Sequence, residues 1–161
     1  MRARDLWRYA VGLYARPGVA EACLALQDRR GVDVPLLLAT LWHVERGHGA
    51  PDLARWRAIS ATWREAAVLP LRSLRRALKG QAGWEPLRTR IKRLELAVER
   101  AQLSELARHA SPRVGAHASP RAVLRSVLGN AARGFHARTI LSQAAKMRAR
   151  STRLRGASTK P

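Results

Sequence analysis

The chain has 161 residues, of which 31 are Lys or Arg and 11 are Asp or Glu, so its formal net charge is +20. Hydrophobic residues make up 47% of the chain, which excludes disorder throughout. The single cysteine, Cys23, excludes a disulfide framework or a Cys-rich zinc site within one chain. The positive charge favours a polyanionic partner, either nucleic acid or an anionic membrane surface.

Three short helices are predicted to open the chain. Asp5 is the expected N-cap of the first helix, which ends at the Arg16-Pro17-Gly18 turn. Pro17 suits the first turn of the second helix, and Gly31 supplies a left-handed C-cap for it. Asp33 caps the third helix, whose LLLATLWHV segment is apolar nearly all round. A helix without a polar face is predicted to be the buried centre of the fold.

Two longer helices follow. Pro51-Asp52 opens the fourth, whose apolar positions step by threes and fours as far as Leu78. Pro70 predicts a kink, because proline lacks a backbone N–H and clashes with the preceding turn. After a turn at residues 79–83, the fifth helix begins at Glu85-Pro86. It carries one apolar stripe of Leu87, Ile91, Leu94, Val98 and Ala101, flanked by a second of Leu96, Leu103 and Leu106. The short connection and the matching stripes predict an antiparallel helical hairpin.

Charge changes abruptly after residue 110. Every carboxylate side chain lies before Ser111, whereas residues 111–161 contain 11 basic residues. This change predicts a domain boundary. We expect an all-helical domain over 4–110, a linker over 111–120, a marginal basic helix over 121–149 and a disordered basic tail over 150–161. The predicted fold is all-α: a compact three-helix N-terminal unit packed on a long antiparallel helical hairpin, plus a basic C-terminal extension.

No targeting or membrane segment is expected. The first residues lack the continuous apolar region of a signal peptide. The longest apolar run, residues 34–42, is far shorter than the ~20 residues that span a bilayer. We therefore expect a soluble cytoplasmic protein in a reducing compartment.

The opening segment resembles a known family. Its features are a Leu6-Trp7 start, a Tyr14-x-x-Pro17-Gly18-Val19 turn, an Ala22-Cys23-Leu24-x-Leu26-Gln27 segment and an Asp33-Val34-x-Leu36-Leu37-Leu38 helix. Pro70-Leu71-Arg72-x-x-Arg75 and Glu95-Leu96…Glu99-Arg100…Leu103 add to the match. The chain is similar over residues 5–110 to a small proteobacterial family, domain of unknown function 2390. Pro35 stands where the family pattern has Asn. The resemblance implies an all-helical fold and a bacterial cytoplasm, and it implies no activity.

Chemistry-bearing residues give no catalytic or metal site. His43 and His48 flank Glu45 with the wrong spacing for a helical zinc site, so a polar cluster at a helix end is the favoured interpretation. Cys23 lies in an apolar stripe and is expected to be a buried small hydrophobe. Asp28 and Asp33 are paired carboxylates at a helix corner, where a structural role is favoured over acid–base catalysis. No cofactor is predicted.

Basic residues at the two arms of the hairpin carry the main functional signal. A dipole argument accounts for cations at the end of the fourth helix but not for those at the start of the fifth, where they oppose the dipole. A polyanion site accounts for both, although a merely solvated face is the alternative. The candidate nucleic-acid-binding residues are Arg72, Arg75, Arg76, Lys79, Trp84, Arg88, Arg90, Lys92 and Arg93. Arg133, Phe135 and Arg138 in the C-terminal segment are added, because an aromatic ring among cations can stack a base.

These patterns leave several functions open. The favoured hypothesis is a non-enzymatic protein that binds RNA or a ribonucleoprotein through the hairpin tip and the C-terminal tail. The alternative is a protein–protein adaptor, or a homodimer, that uses the outer stripe of Leu96, Leu103 and Leu106. A small enzyme is the third choice and would need a pocket formed by Asp28, His43 and Glu45.

Overall fold

A computed structural model describes residues 2–110 and 119–157 of the chain, with side chains described for 3–110 and 119–150. The described residues form helices and connecting turns without a strand, which confirms the predicted all-α class. The α-helices are α1 (Arg2–Tyr14), α2 (Val19–Arg30), α3 (Val34–Glu45), α4 (Leu53–Trp63), α5 (Leu69–Ala77), α6 (Glu85–Arg108), α7 (Pro120–Leu128) and α8 (Phe135–Ala157). None of these helices is long and apolar enough to cross a membrane.

The chain divides into two compact units. Within the described residues, the first unit comprises 2–7 and 52–110, and the second comprises 8–51 and 119–157. The C-terminal helices therefore group with α2 and α3, an association that the charge pattern does not reveal. The predicted linker lies mostly at residues 111–118, outside the described part of the chain.

Of the four residues predicted to lie at helix ends, Asp5, Gly31, Asp33 and Asp52, the last three are caps in the structure. Gly31 adopts the left-handed conformation after α2, and the side chains of Asp33 and Asp52 accept hydrogen bonds at the starts of α3 and α4. The prediction for Asp5 was wrong, because α1 begins at Arg2 and Asp5 lies inside its first turn. Residues 2–4 are Arg-Ala-Arg, which are strong helix formers and extend the helix past the expected cap.

The second unit is built around α3. Every residue from Val34 to Val44 is buried, as its continuous apolar sequence predicted. Helix α7 packs against α3, and α8 packs against α2. The inward residues of α7 and α8 are Val123, Leu124, Leu128, Ala137, Ile140 and Ala144. These side chains make the C-terminal segment part of a hydrophobic core.

Helix α8 continues to Ala157, past residue 150, where a disordered tail was predicted to begin. Residues 158–161, the rest of that predicted tail, lie outside the described part of the chain. Ser119 caps α7 by accepting a hydrogen bond from the Ala122 N–H at 3.1 Å. A marginal helix over 121–149 was expected. The structure instead has two helices joined by a 3₁₀ turn at Gly129–Arg133, because the Gly129-Asn130 pair disfavours a continuous helix.

The first unit contains the hairpin, defined as α4, α5 and α6 with the turns between them. A π-helical turn at Arg64–Val68 joins α4 to α5 directly before Pro70. A π-turn carries one extra residue per turn, which relieves the clash that proline makes with the preceding turn. The predicted disturbance near Pro70 is thus a π-turn one turn earlier.

The faces of α6 differ from the prediction. Leu103 and Leu106, expected on an outer stripe, are buried, whereas Leu87 and Leu94 from the expected inner stripe are exposed. Polar residues take part of the buried face: Gln102 donates a 2.7 Å hydrogen bond to the Ser60 hydroxyl. The division of α6 into an inner and an outer stripe therefore holds only in part: Ile91 is buried and Leu96 is exposed as expected, whereas the four leucines just named are reversed. Polar side chains such as Gln102 and Glu95 take buried positions that hydrophobicity assigns to the surface.

Candidate nucleic-acid interface at the hairpin tip

The tip of the hairpin, defined as residues 76–93, is a tight helix–turn–helix connection. Gly80 and Gly83 have φ values of 79° and 81°, a conformation that other residues rarely adopt. Between them, the Gln81 side chain donates to the Ala77 carbonyl at 2.7 Å and satisfies one free carbonyl at the end of α5. The Trp84 carbonyl accepts the first helical bond of α6, from the Arg88 N–H at 2.9 Å. The sequence thus holds the last turn of α5 beside the first turn of α6.

Two of the predicted site residues are held inside the hairpin. The Arg72 guanidinium contacts Glu95 at 2.7 Å and Glu99 at 2.8 Å, and the side chains of Arg72 and Glu95 are only 7% and 8% exposed. Arg75 contacts the second oxygen of Glu95 at 2.5 Å. Burial acts to raise the pKa of Glu95, but hydrogen bonds and charges from Arg75 and Arg72 outweigh it and lower that pKa. These arginines link α5 to α6 and are not available to a phosphate.

The other cations of the tip are more accessible. Arg88 forms an ion pair with the exposed Glu85 carboxylate at 2.8 Å, and such a pair contributes little stability. Exposed side chains are those of Arg76, Lys79, Arg90, Lys92 and Arg93. Arg90 and Arg93 are three residues apart and share the outward face of α6, whereas Lys92 is rotated from them by 100–200°. The cations therefore surround the start of α6 and do not converge on one groove.

Trp84 lies at the N-terminal boundary of α6, and its ring is 48% exposed. The other four tryptophans are less exposed than Trp84. Trp42 and Trp56 are almost completely buried, and Trp7 and Trp63 are intermediate. An exposed tryptophan among cations can stack on a nucleobase while the cations contact phosphates.

The other predicted surface lies in the second unit. Phe135 is the first residue of α8 and is 69% exposed, with its ring edge-on to His136 at 5.7 Å between centroids. The Arg138 guanidinium donates to the Arg133 carbonyl at 3.3 Å, which brings these two exposed arginines to the same end of α8. The aromatic ring and its cations thus form a local group that belongs to the second unit, whereas the hairpin tip belongs to the first.

The remaining chemistry-bearing residues are mostly inside the second unit. Cys23 is fully buried, and burial raises its pKa to about 12, so its thiol is protonated and unreactive at neutral pH. His43 is buried within α3, and the His48 ring lies 5.1 Å from it between centroids. Among the residues that the structure describes, no group of three or more His, Cys, Asp or Glu could hold a metal ion.

A titrating carboxyl was missed at the sequence level. Burial raises the pKa of Glu45 to about 7, against the opposing effects of the Tyr9 hydroxyl and the Arg148 charge. Burial is also the main cause of a raised pKa for Tyr9, followed by the Glu45 charge. Tyr9, Glu45 and Arg148 lie on α1, α3 and α8, so no local sequence pattern could have brought them together.

Comparison with known proteins gives one match. The model of a family described as "Protein of unknown function (DUF2390)" matches residues 5–106. No curated protein and no solved structure matches the chain.

Proposed function

The chain belongs to the protein family of unknown function DUF2390, and we propose that it binds nucleic acid, with RNA as the favoured ligand, through the hairpin tip. The observation that carries this proposal is an excess of exposed cations. Residues 66–94 contain a single acidic residue, Glu85, which pairs with Arg88. Lys79, Arg90 and Arg93 project into solvent on either side of the exposed Trp84.

The arrangement favours contact with phosphates over the reading of bases. Cations spread around a helix can follow a flexible backbone, whereas base readout needs side chains fixed at a groove or pocket. Arg72 and Arg75 are left out of the proposed site because their guanidinium groups are bound by Glu95. The expected interaction is therefore weakly sequence-specific and strongly dependent on salt.

A second contact through α8 completes the proposal. Arg133, Phe135 and Arg138 combine one exposed ring with two exposed guanidinium groups, the combination used by proteins that bind single strands. Each surface can engage a strand by itself, and two weak contacts on one chain raise the overall affinity if a single strand reaches both.

The test is charge reversal at the tip. Arg90→Glu combined with Arg93→Glu should weaken binding of a fluorescent single-stranded RNA by about 10-fold or more. The slope of the logarithm of the binding constant against the logarithm of the salt concentration should become less negative by about 1–2. Fluorescence anisotropy at several salt concentrations measures both quantities. The matched control is Arg29→Glu with Arg30→Glu, two exposed arginines at the end of α2 that give the same change in net charge.

If the control weakens binding as much as the tip variant, net charge alone causes retention and the proposed site is rejected. Unchanged binding by the tip variant rejects it as well. Trp84→Ala separates stacking from charge, because stacking predicts a loss of about 1–3 kcal/mol with an unchanged salt slope.

A further inference from the structure

The hairpin has exposed leucines where its sequence pattern calls for packing. Leu87, Ile91, Leu94 and Val98 follow the alternating four- and three-residue spacing of helices that pack side by side. On the other arm, Leu71, Leu74 and Leu78 show the same three- and four-residue steps. Ile91 is buried, but Leu74, Leu87 and Leu94 are 40–55% exposed. Only part of a spacing that is typical of a helix–helix contact is therefore buried in the structure.

The exposed leucines of both helices lie on one side of the hairpin. The Arg72–Glu99 ion pair gives a common reference direction for the two helices, because each partner points at the other across α5 and α6. With about 100° per residue, Leu74 lies about 160° from Arg72 around α5. Leu94 and Leu87 lie about 140° and 120° from Glu99 around α6, in the same sense of rotation. In two antiparallel helices that face each other, rotations of the same sense lead to the same side.

We call this side the leucine face and define it as Leu74, Leu87 and Leu94. The ion pairs explain why it stays open. Arg72, Arg75 and Glu95 occupy the line of contact between α5 and α6, so the two helices meet partly through polar groups. Leu74 on α5 and Leu87 and Leu94 on α6 are left exposed beside that contact, and apolar side chains on two neighbouring helices can accept a third helix.

The charge of the hairpin tip indicates which kind of partner helix would bind there. Glu85 is the only acidic residue from 66 to 94, and it is already paired with Arg88. Arg90 is exposed and lies about 40° from Leu94 around α6, beside the leucine face. Lys79 and Arg93 are exposed at the same tip but point in other directions. A second copy of the chain would bring the same cations against these and be repelled, whereas a helix with acidic flanks would be attracted.

We propose that the leucine face is a docking site for an amphipathic helix of another protein, one that carries apolar residues at heptad spacing flanked by Asp or Glu. The exposed leucines provide the apolar contact, and the excess of cations at the tip, with Arg90 beside Leu94, selects the acidic flanks. This role shares exposed cations with the proposed nucleic-acid contacts, but it also needs the leucines, which phosphate contacts do not use, so the Leu94→Gln variant below separates the two roles.

Synthetic helices test the proposal on the full chain. The first is a peptide of about three heptads with leucine at the a and d positions and glutamate at e and g, and the second has lysine in place of glutamate. The chain should bind the acidic peptide at least 10-fold more tightly than the basic one in fluorescence anisotropy, and added salt should reduce the difference.

The chain offers a matched pair of variants on α6. Leu94 and Leu96 are 55% and 54% exposed, but Leu96 lies toward the Arg72–Glu99 side, about 60° from Glu99. Leu94→Gln should weaken binding of the acidic peptide about 10-fold, whereas Leu96→Gln should change it less than about 2-fold. Circular dichroism should show equal helix content in both variants, since both substitutions are on the surface.

Four results would overturn the proposal. The chain binds both peptides equally, or the two glutamine variants behave alike. Alternatively, sedimentation shows a dimer that Leu94→Gln dissociates, which assigns the face to a second copy. Finally, phosphatidylglycerol vesicles bind the chain in a Leu94-dependent way while the acidic peptide does not bind, which assigns the face to a lipid surface.

Discussion

The two units of the chain join their helices by different means. In the second unit, α3 is buried along its length and the surrounding helices present apolar side chains, including Ile140 and Leu124. In the first unit, Arg72, Glu95 and Gln102 are buried within the hairpin, while leucines of the same helices remain exposed. Apolar burial provides most of the free energy of folding, whereas a buried ion pair gives little net stability because both charges lose water.

The ion pairs between α5 and α6 determine how these two helices are aligned, whereas the apolar packing around α3 mainly contributes stability. Glu95 can reach both Arg72 and Arg75 in only one alignment of α5 with α6, since a shift by one helical turn moves a side chain about 5 Å. Leucine seams tolerate such shifts more easily because dispersion forces are not directional. The ion pairs therefore specify the register of the hairpin and keep the leucine face in one place.

Removal of the shared carboxylate should affect the hairpin most. Glu95→Gln leaves Arg75 without that charge and Arg72 with Glu99 alone, so the free energy of unfolding should fall by about 3 kcal/mol. Urea denaturation monitored by circular dichroism at 222 nm measures the change. The lowered pKa of Glu95 also predicts how this loss depends on pH. The stabilisation by the Glu95 carboxylate is present above the ordinary carboxyl pKa and is lost as pH falls through the lowered value. The difference in stability between variant and parent should therefore shrink in acid.

Two comparisons sharpen that result. Glu85→Gln removes the exposed partner of Arg88 and should cost less than about 1 kcal/mol. Replacement of the whole cluster by apolar residues, as Arg72→Met, Arg75→Leu and Glu95→Met, should recover most of the loss if the pairs serve alignment more than stability. A triple variant as unstable as Glu95→Gln would show that the ion pairs stabilise the hairpin directly.

In the second unit, the equivalent test is a cavity in α8. Ile140 is fully buried, so Ile140→Ala should lower the free energy of unfolding by about 2–4 kcal/mol. Chemical denaturation again gives the value, and Arg138→Ala, an exposed change two residues away, should stay within about 0.5 kcal/mol. Equal, small effects would mean that α8 does not belong to the core and that the basic extension predicted from composition is the better description.

The prediction for the residues after 110 relied on their basic composition and gave too little weight to the spacing of their apolar residues. The acid-free sequence suggested a marginal helix and a tail, yet Val123, Leu124 and Leu128 recur at helical intervals and are buried. That spacing was visible in the sequence, but its packing against α3 was not, since contacts between distant segments leave no local pattern. The apolar centre, α3, was predictable because its sequence allows only a buried helix.

Near the hairpin tip, the sequence placed the basic residues in two adjacent turns but could not say which of them are buried against carboxylates of α6. Arg72 and Arg76 are the same residue type on the same helix, and they differ in the direction in which each side chain points. Arg72 meets Glu95 and Glu99, 23 and 27 residues away in sequence, whereas Arg76 is exposed. Whether a cation stabilises the fold or faces a ligand depends on such distant partners, so the candidate site could be proposed from sequence but not delimited.

The smallest expected effect concerns pH and the second unit alone. Burial raises the pKa of Glu45 from its ordinary 4.5 to about 7, so the folded state binds a proton that the unfolded state releases. The associated stability is fully present below pH 4.5 and is lost as pH rises through 7. Glu45→Gln stays neutral at every pH, and it should match the parent at pH 4.5 and exceed it at pH 8 by about 2 kcal/mol, reduced for partial exposure.

Urea denaturation at pH 4.5, 6 and 8 measures this difference, with Glu21→Gln on the exposed face of α2 as the control. The control should follow the parent within about 0.5 kcal/mol at each pH. If Glu45→Gln also follows the parent, the carboxyl is hydrated in solution and the second unit is less tightly closed around α3 than its buried residues indicate. A difference confined to Glu45→Gln would show that the Glu45 carboxyl is buried in solution and that its ionisation destabilises the second unit.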